Sequence, residues 1–232
     1  MSGNQLDLPL GLPQANGAWD RSILANVFEI NDQLLSYLAK QARIEQRLPQ
    51  WPILGELREQ WAELTETARL KLANCPYLLI DGGFAQSLNW AVPYVAGVQD
   101  GPDATAPRIF CDAAVPLLRR MLLLAWHLAR SNRMAARVLL GMSAECADRL
   151  ANYRLQELEL LAELRPEWIR PRWCERLGVW RQLLLAAGGA VPGELRRAQL
   201  RGVQLMAASL IAPLSERGSP ERGGAGARLR RE

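Results

Sequence analysis

Residues 117–130 read LLRRMLLLAWHLAR, and this stretch decides the fold class. Apolar side chains occupy most of its positions. Arg120, His127 and Arg130 form only a thin polar stripe when the segment is wound as a helix. A helix that is apolar around most of its circumference has to be covered by other elements. The sequence therefore predicts a central helix packed among further helices.

Amphipathic patterns on both sides of this segment predict the surrounding helices. Residues 21–47 follow Asp20, a good N-cap, and carry apolar side chains in steps of three and four. Residues 53–73 show a nearly heptad pattern, so the two helices should form an antiparallel N-terminal hairpin. Gly141 and Ser143 are predicted to be a C-cap and an N-cap. The remaining predicted helices cover residues 134–140, 143–151, 155–164, 175–187 and 194–212. The predicted fold class is all-α, a multi-helix orthogonal or bundle domain with disordered termini.

Composition divides the chain into five parts. Residues 1–18 contain prolines and glycines without periodicity and are predicted to be a flexible arm. Residues 19–96 should form the N-terminal hairpin and a connector. Residues 97–110, which include the turn-rich Asp-Gly-Pro-Asp, are predicted to be a linker, followed by a C-terminal helical domain at residues 111–212. Residues 213–232 are rich in glycine and arginine and are predicted to be a disordered basic tail.

A short apolar run within the connector has two interpretations. Residues 77–80 read YLLI and are followed by Asp81-Gly82-Gly83. The run is compatible with a buried strand or with an extended connector. Asp-Gly-Gly is ordinary turn chemistry, and Pro76 ends the preceding helix.

The bulk composition excludes several classes of protein. The chain has 232 residues, of which 49% are hydrophobic and 22% charged, as in a globular protein rather than a disordered or fibrous one. We find no apolar run long enough for a membrane helix and no secretory signal at the start. The four cysteines, at positions 75, 111, 146 and 174, form no CxxC pair. A reduced, cytoplasmic protein without a metal or cofactor is the expectation.

No catalytic constellation stands out. The single histidine, His127, lies in the apolar central helix, where we expect a partly buried structural side chain. Glu157, Glu159 and Glu163 have no histidine beside them and indicate a solvated helix face. The sequence therefore favours a non-enzymatic protein, although an enzyme with a dispersed site involving Asp81 or His127 remains a third class.

The charge is divided unevenly along the chain. Residues 1–110 contain 8 basic and 12 acidic side chains, and residues 111–232 contain 20 basic and 12 acidic ones. This asymmetry predicts an anionic partner for the second half, or a contact between the halves.

Arginines alternate with tryptophans just after residue 164. Guanidinium groups and indole faces together suit phosphates and unstacked bases, but they suit packing at the edge of a core as well. The candidate nucleic-acid- or partner-binding residues are Arg165, Trp168, Arg170, Arg172, Trp173, Arg176, Arg181, Arg196, Arg197 and Arg201.

Residues 143–164 have the length of a helix-turn-helix unit. Their second helix carries three acidic residues and no basic one, so it would repel DNA phosphates. An ordinary packed helical hairpin is therefore favoured, and we do not expect this helix to enter a DNA groove.

The order of features in residues 122–164 resembles the bacterial flagellar transcription activator subunit FlhD. LLLAWHL at residues 122–128, the small-residue stretch 135–142 ending in Leu-Gly-Met, and the helices from Glu145 to Leu164 carry the resemblance. The resemblance implies a helical, oligomerising regulator that assists DNA binding by a partner subunit. The first 110 residues lie outside it, and the cysteine cluster of the zinc-binding partner subunit has no counterpart.

Two classes of function follow. The first is a cytoplasmic, non-enzymatic helical factor that acts in regulation, as a subunit similar to those of transcription regulators. Such a factor would bind a second copy of itself or another protein subunit. The alternative is a protein that binds DNA or RNA directly through the Trp/Arg-rich segment and the basic tail.

Overall fold

Ten α-helices form most of the described chain, which confirms the all-α prediction. The computed structural model describes residues 21–43, 51–85, 90, 111–191 and 193–216. The helices are α1 (Arg21–Ala42), α2 (Pro52–Glu56), α3 (Arg58–Ala62), α4 (Glu66–Ala73), α5 (Cys111–Ser131), α6 (Arg133–Leu140), α7 (Ala144–Ala151), α8 (Leu155–Leu164), α9 (Leu177–Gly188) and α10 (Glu194–Glu216), with a 3-10 helix at Pro166–Trp168. Within these ranges no helix combines the length and apolarity needed to cross a membrane.

Helix α5 organises one side of the molecule. It packs against α6, α7, α8 and the 3-10 helix, and also against α1. Leu118, Met121, Leu122, Ala125 and Leu128 are completely buried. The predominantly apolar stretch thus has neighbours around most of its circumference, as its composition requires.

Helix α1 joins this side to the rest of the fold. It contacts α2, α3 and α4 as well as α5, while α9 packs on α2, α3, α4 and α10. The buried side chains form one cluster that runs from Ile23 to Met206. The predicted parts 19–96 and 111–212 therefore contribute to the same core. The predicted arm 1–18 and linker 97–110 lie outside the described residues.

The second helix of the predicted hairpin is broken into α2, α3 and α4. Leu57, between α2 and α3, has φ −116° and ψ 26°, outside the α-helical region. Thr65 is extended, and its side chain accepts a hydrogen bond from the Ala68 backbone N–H, so it starts a new helix. The heptad pattern identified the buried side chains, but it did not reveal that Thr65 would cap a separate helix.

Several predicted helix ends are confirmed. Gly141 follows α6 with φ 64°, and the Ser143 hydroxyl accepts a hydrogen bond from the Cys146 N–H at 3.1 Å. Two other boundaries differ from the prediction. Helix α5 begins at Cys111, six residues before the apolar stretch 117–130, so Pro116 lies inside the helix and beyond its first turn. Helix α10 continues through Pro213 to Glu216, into the predicted tail.

The apolar run 77–80 is a buried extended connector rather than a strand of a sheet. Ile80 forms one isolated antiparallel bridge with Pro171. Its two hydrogen bonds run from the Asp81 N–H to the Arg170 carbonyl and from the Arg172 N–H to the Leu79 carbonyl, each 2.7 Å long. The backbone of this connector is thus buried without a sheet to satisfy it.

Asn31 supplies hydrogen bonds that a sheet would otherwise provide. Its amide nitrogen donates to the carbonyls of Ala73 (3.2 Å) and Tyr77 (2.9 Å), and its amide oxygen accepts from the Leu79 N–H at 2.8 Å. The side chain is completely buried. Because an unsatisfied buried peptide group is costly, Asn31 holds the end of α4 and the connector against α1.

We expect the near-isosteric substitution Asn31→Leu to destabilise the fold strongly. It leaves three buried backbone groups without this partner, at about 1–3 kcal/mol each, so the free energy of unfolding should fall by roughly 3 kcal/mol or more. Chemical denaturation followed by circular dichroism measures this loss. The matched substitution Gln33→Leu removes only an exposed hydrogen bond to Glu29 on the same helix and should change stability by about 0.5 kcal/mol at most. Equal effects of the two substitutions would contradict this role of Asn31.

Candidate functional site

The structure separates the ten predicted binding residues into two groups. One group is turned into the protein or packed at the edge of its core: Arg165, Trp168, Arg172 and Trp173. The other group is exposed: Arg170, Arg176, Arg181, Arg196, Arg197 and Arg201. The predicted site is therefore not one continuous surface of arginine and tryptophan.

Arg172 is a structural residue whose guanidinium is buried. Its Nε donates to the Leu78 carbonyl at 2.9 Å, and its Nη2 donates to the carbonyls of Ile80 (3.0 Å) and Leu140 (2.8 Å). The side chain is 7% exposed. Arg172 therefore satisfies the buried connector on the side opposite to Asn31, together with the last residue of α6.

The surroundings of Arg172 leave no space for a bound phosphate. A Cβ at Gly141 would lie 2.9 Å from Nη1, so the glycine allows both its own left-handed backbone and the approach of the guanidinium. Burial lowers the pKa of Arg172, while the nearby Asp81 partly opposes this effect. Arg172, predicted as a binding residue, is therefore buried, and three of its five N–H donors already bond to carbonyls of the chain itself.

The two tryptophans of the segment are engaged in aromatic packing. The Trp168 ring lies 4.8 Å from that of Trp90, and the Trp173 ring meets Tyr77 edge-on at 5.8 Å. Trp173 has the left-handed φ of 55°, which is unusual for a residue with a side chain. Arg165 places its guanidinium 5.9 Å above the Trp168 ring. These contacts are those of packing at the edge of the core, and they do not leave two indole faces for unstacked bases.

Arg170 is exposed but has partners. Its Nε donates to the Cys174 sulfur at 3.0 Å, and its Nη2 lies 3.9 Å from a carboxylate oxygen of Glu175. Its carbonyl takes part in the bridge to the connector. Arg170 thus belongs to the turn that positions Arg172.

The remaining exposed arginines cover the hairpin formed by α9 and α10. We call this surface the hairpin face: Arg176, Arg181, Arg196, Arg197 and Arg201. Glu194 is the one acidic residue in residues 176–210. Arg201 donates to the Gln182 side chain at 2.7 Å, which brings the exposed sides of the two helices together. Trp180, the aromatic residue of the hairpin, is buried against Trp61.

Three of these arginines have no ionic partner among the described residues. Arg176, Arg181 and Arg197 are exposed, and no carboxylate in the described ranges lies within ion-pair distance of them. Some arginines elsewhere in the described ranges are paired, as Arg120 is with Glu29 at 2.7 Å. The hairpin face therefore combines positive charge with guanidinium groups that are accessible to anions.

Groups that sequence analysis considered for catalysis are dispersed. His127 is exposed on α5 rather than partly buried, because the polar stripe of that helix faces solvent. The Asp81 carboxylate accepts a hydrogen bond from the Gly83 N–H at 3.1 Å, as expected of a turn. No cluster of three or more His, Cys, Asp or Glu side chains suited to a metal occurs in the described ranges.

A groove of about 290 Å³ lies beside α1 and the first turns of α5. Asp32, Ser36 and Lys40 supply polar groups to its lining. The Asp32 carboxylate and the Ser36 hydroxyl both accept hydrogen bonds from Arg69, so they hold α4 against α1. Their arrangement provides no pairing of a nucleophile with a base.

Asn31 is an important structural residue that the sequence did not predict. It lies four residues after Val27 and three before Leu34, within the buried stripe of α1. A polar residue in the middle of an apolar stripe is the signal that could have identified it. Its partners, however, lie more than 40 residues away in sequence.

No family model, curated protein or solved structure matches the chain.

We expect Arg172→Met to destabilise the protein, whereas Arg176→Met should not. The first substitution leaves three buried carbonyls without donors and should lower the free energy of unfolding by about 3 kcal/mol. The second alters an exposed side chain and should change it by about 0.5 kcal/mol or less. Chemical denaturation of both variants measures the difference. Wild-type stability of Arg172→Met would refute the structural role of the guanidinium.

The buried thiols should react slowly in the native protein. Cys75, Cys146 and Cys174 are buried and unpaired with one another, and burial raises the pKa values of Cys75 and Cys146 to about 12. At about pH 8 the thiolate fraction is then on the order of one in ten thousand, against about a quarter for an ordinary cysteine. Timed alkylation with peptide mass spectrometry should show fast labelling of Cys75 and Cys146 only after denaturation. Equally fast labelling of the folded chain would contradict this.

Proposed function

We propose that this chain is a non-enzymatic, cytoplasmic interaction factor, and that its hairpin face binds an acidic surface of a protein partner. One observation carries the proposal. Five exposed arginines lie within residues 176–210 of one helical hairpin, a stretch that contains a single acidic residue, and Arg176, Arg181 and Arg197 have no ionic partner in the described ranges. Several like charges on one hairpin create a positive potential, which attracts an anionic surface and accelerates encounter.

Exposed apolar side chains on the same hairpin favour a protein as the partner. Leu185 is 56% exposed and lies one helical turn after Arg181, and Val191, in the loop to α10, is 59% exposed. Protein interfaces bury apolar side chains together with arginine, whereas a phosphate backbone offers such side chains no comparable contact. This combination supports a protein partner over a nucleic acid.

A regulatory role is part of this proposal. The resemblance of residues 122–164 to the transcription activator subunit FlhD supports it, because members of that family are helical, oligomerising regulators. The acidic α8 is consistent with a protein that assists a partner at DNA and does not itself insert this helix into a groove.

Binding to the phosphates of a nucleic acid is the second candidate function. The same unpaired arginines support it, since guanidinium groups contact phosphate oxygens in pairs of hydrogen bonds. With Trp168 and Trp173 packed at the core edge, such binding would use the backbone and carry little sequence preference.

The triple variant Arg176→Ala, Arg181→Ala, Arg197→Ala tests the proposal. At about 0.5 kcal/mol for each exposed ion pair, we expect affinity for the partner to fall roughly tenfold. The control is Arg21→Ala, Arg43→Ala, Lys71→Ala, which removes the same charge from exposed positions outside the hairpin. Proteins captured from a lysate of the source cells and quantified by mass spectrometry should be retained by the wild type and the control but depleted on the hairpin variant.

Nuclease treatment separates the two candidate functions. Protein capture that survives nuclease supports a direct protein partner. Capture that disappears with nuclease, together with a mobility shift that weakens steeply with salt, supports the nucleic-acid alternative. Unchanged capture by the hairpin variant would refute both uses of this surface.

A further inference from the structure

Helix α8 presents an exposed surface of opposite charge to the hairpin face. Its buried residues Leu158, Leu161 and Ala162 pack toward α5. The outward side contains Glu159 and Glu163 together with Leu155, Leu160 and Leu164, whose exposed fractions are 50%, 42% and 40%. We call this surface the acidic face. Three exposed leucines beside these glutamates on a ten-residue helix favour an interface at this surface.

The acidic face and the hairpin face have complementary charges, and both carry exposed apolar side chains. Glutamates on α8 correspond to arginines on α9 and α10, and the exposed leucines of α8 correspond to Leu185 and Val191. Carboxylates and guanidinium groups form paired, charge-assisted hydrogen bonds when they meet. The two surfaces are thus complementary in charge and can bury their apolar side chains against each other.

The two faces do not satisfy each other within one chain. Helix α8 packs against α5, whereas α9 packs against α2, α3, α4 and α10. Glu163 pairs with Arg119 of α5 at 3.3 Å, and Glu159 has no ionic partner among the described residues. Glu159 and the unpaired arginines of the hairpin face are therefore available to another molecule, and the Glu163 side chain is 59% exposed beside Arg119.

We propose that the partner of the hairpin face is a second copy of this chain, which contributes its acidic face. This inference rests on the proposed function and identifies the partner. Each copy has one surface of each kind, so two copies related by a twofold axis can make the contact twice.

The size of α8 favours the double contact. Ten residues form a helix about 15 Å long and about 10 Å wide, which gives a footprint of only about 150 Å². Two such contacts cover about 300 Å² on each copy, which is less than the roughly 800 Å² that stable interfaces bury on each partner, so the association belongs to the weak class. A closed dimer with two contacts is expected, with an affinity that decreases as salt screens the charges.

Charge reversal on each face provides the test. One variant carries Glu159→Arg and Glu163→Arg, and the other carries Arg176→Glu, Arg181→Glu and Arg197→Glu, which leaves two arginines against three glutamates on the hairpin face. In either variant alone, both contacts of a dimer join like charges, so sedimentation velocity should show at least a tenfold weaker association than the wild type. In an equimolar mixture, both contacts of the heterodimer join opposite charges, so the mixture should regain the dimer. Thermal melts of each variant check that the fold is retained.

A matched control reverses charges elsewhere. Glu56→Arg and Lys71→Glu change exposed residues outside both faces and should leave the dimer intact. A wild-type chain that stays monomeric up to about 100 µM overturns the inference, as does a dimer that survives both reversals. A further outcome is a monomeric wild type that captures a protein from the lysate which the Arg176/Arg181/Arg197 alanine variant does not capture. In that case the proposed function stands and the partner is a different protein. If that capture is also unchanged, the proposed function fails as well.

Discussion

The fold depends on satisfying the backbone of an extended segment buried among helices. Residues 77–80 have no sheet to complete their hydrogen bonds, apart from one bridge to Pro171. Asn31 supplies bonds from one side and Arg172 from the other. Because Asn31 also binds the end of α4 and Arg172 binds the end of α6, these two side chains tie both sides of the molecule to one connector.

This constraint also determines which arginines are available for function. The Nε and Nη2 groups of Arg172 donate hydrogen bonds to carbonyls of the chain, and the neighbouring Trp173 packs against Tyr77. The fold makes no such use of Arg176, Arg181 or Arg197, which remain exposed on the α9–α10 hairpin. Because these positive side chains make no contact that the fold requires, their surface is suited to an anionic partner. The proposed interaction therefore lies beside the Trp/Arg segment rather than on it.

Features that depend on interactions between residues close in sequence could be predicted more accurately than features that depend on residues far apart in sequence. The bounds of α8 and the caps Gly141 and Ser143 could be predicted, because helix periodicity and capping depend on residues within one or two turns. The break at Thr65 was missed, although it is local, because its hydroxyl competes with an equally good continuous apolar pattern. In the candidate site, the exposed arginines of the hairpin were identified, but Arg172 was placed with them.

By itself, the sequence determined the all-α class, most helix bounds and a second half rich in exposed arginine, because these properties follow from local periodicity and composition. Only the tertiary structure decided that Arg172 is internal while Arg176 is external, and that Asn31 belongs to the core. Both side chains are bonded to residues at least 32 positions away, and Arg172 also to carbonyls more than 90 positions away. No local pattern encodes such partners, since the need for a donor arises only when the chain buries a backbone carbonyl beside it.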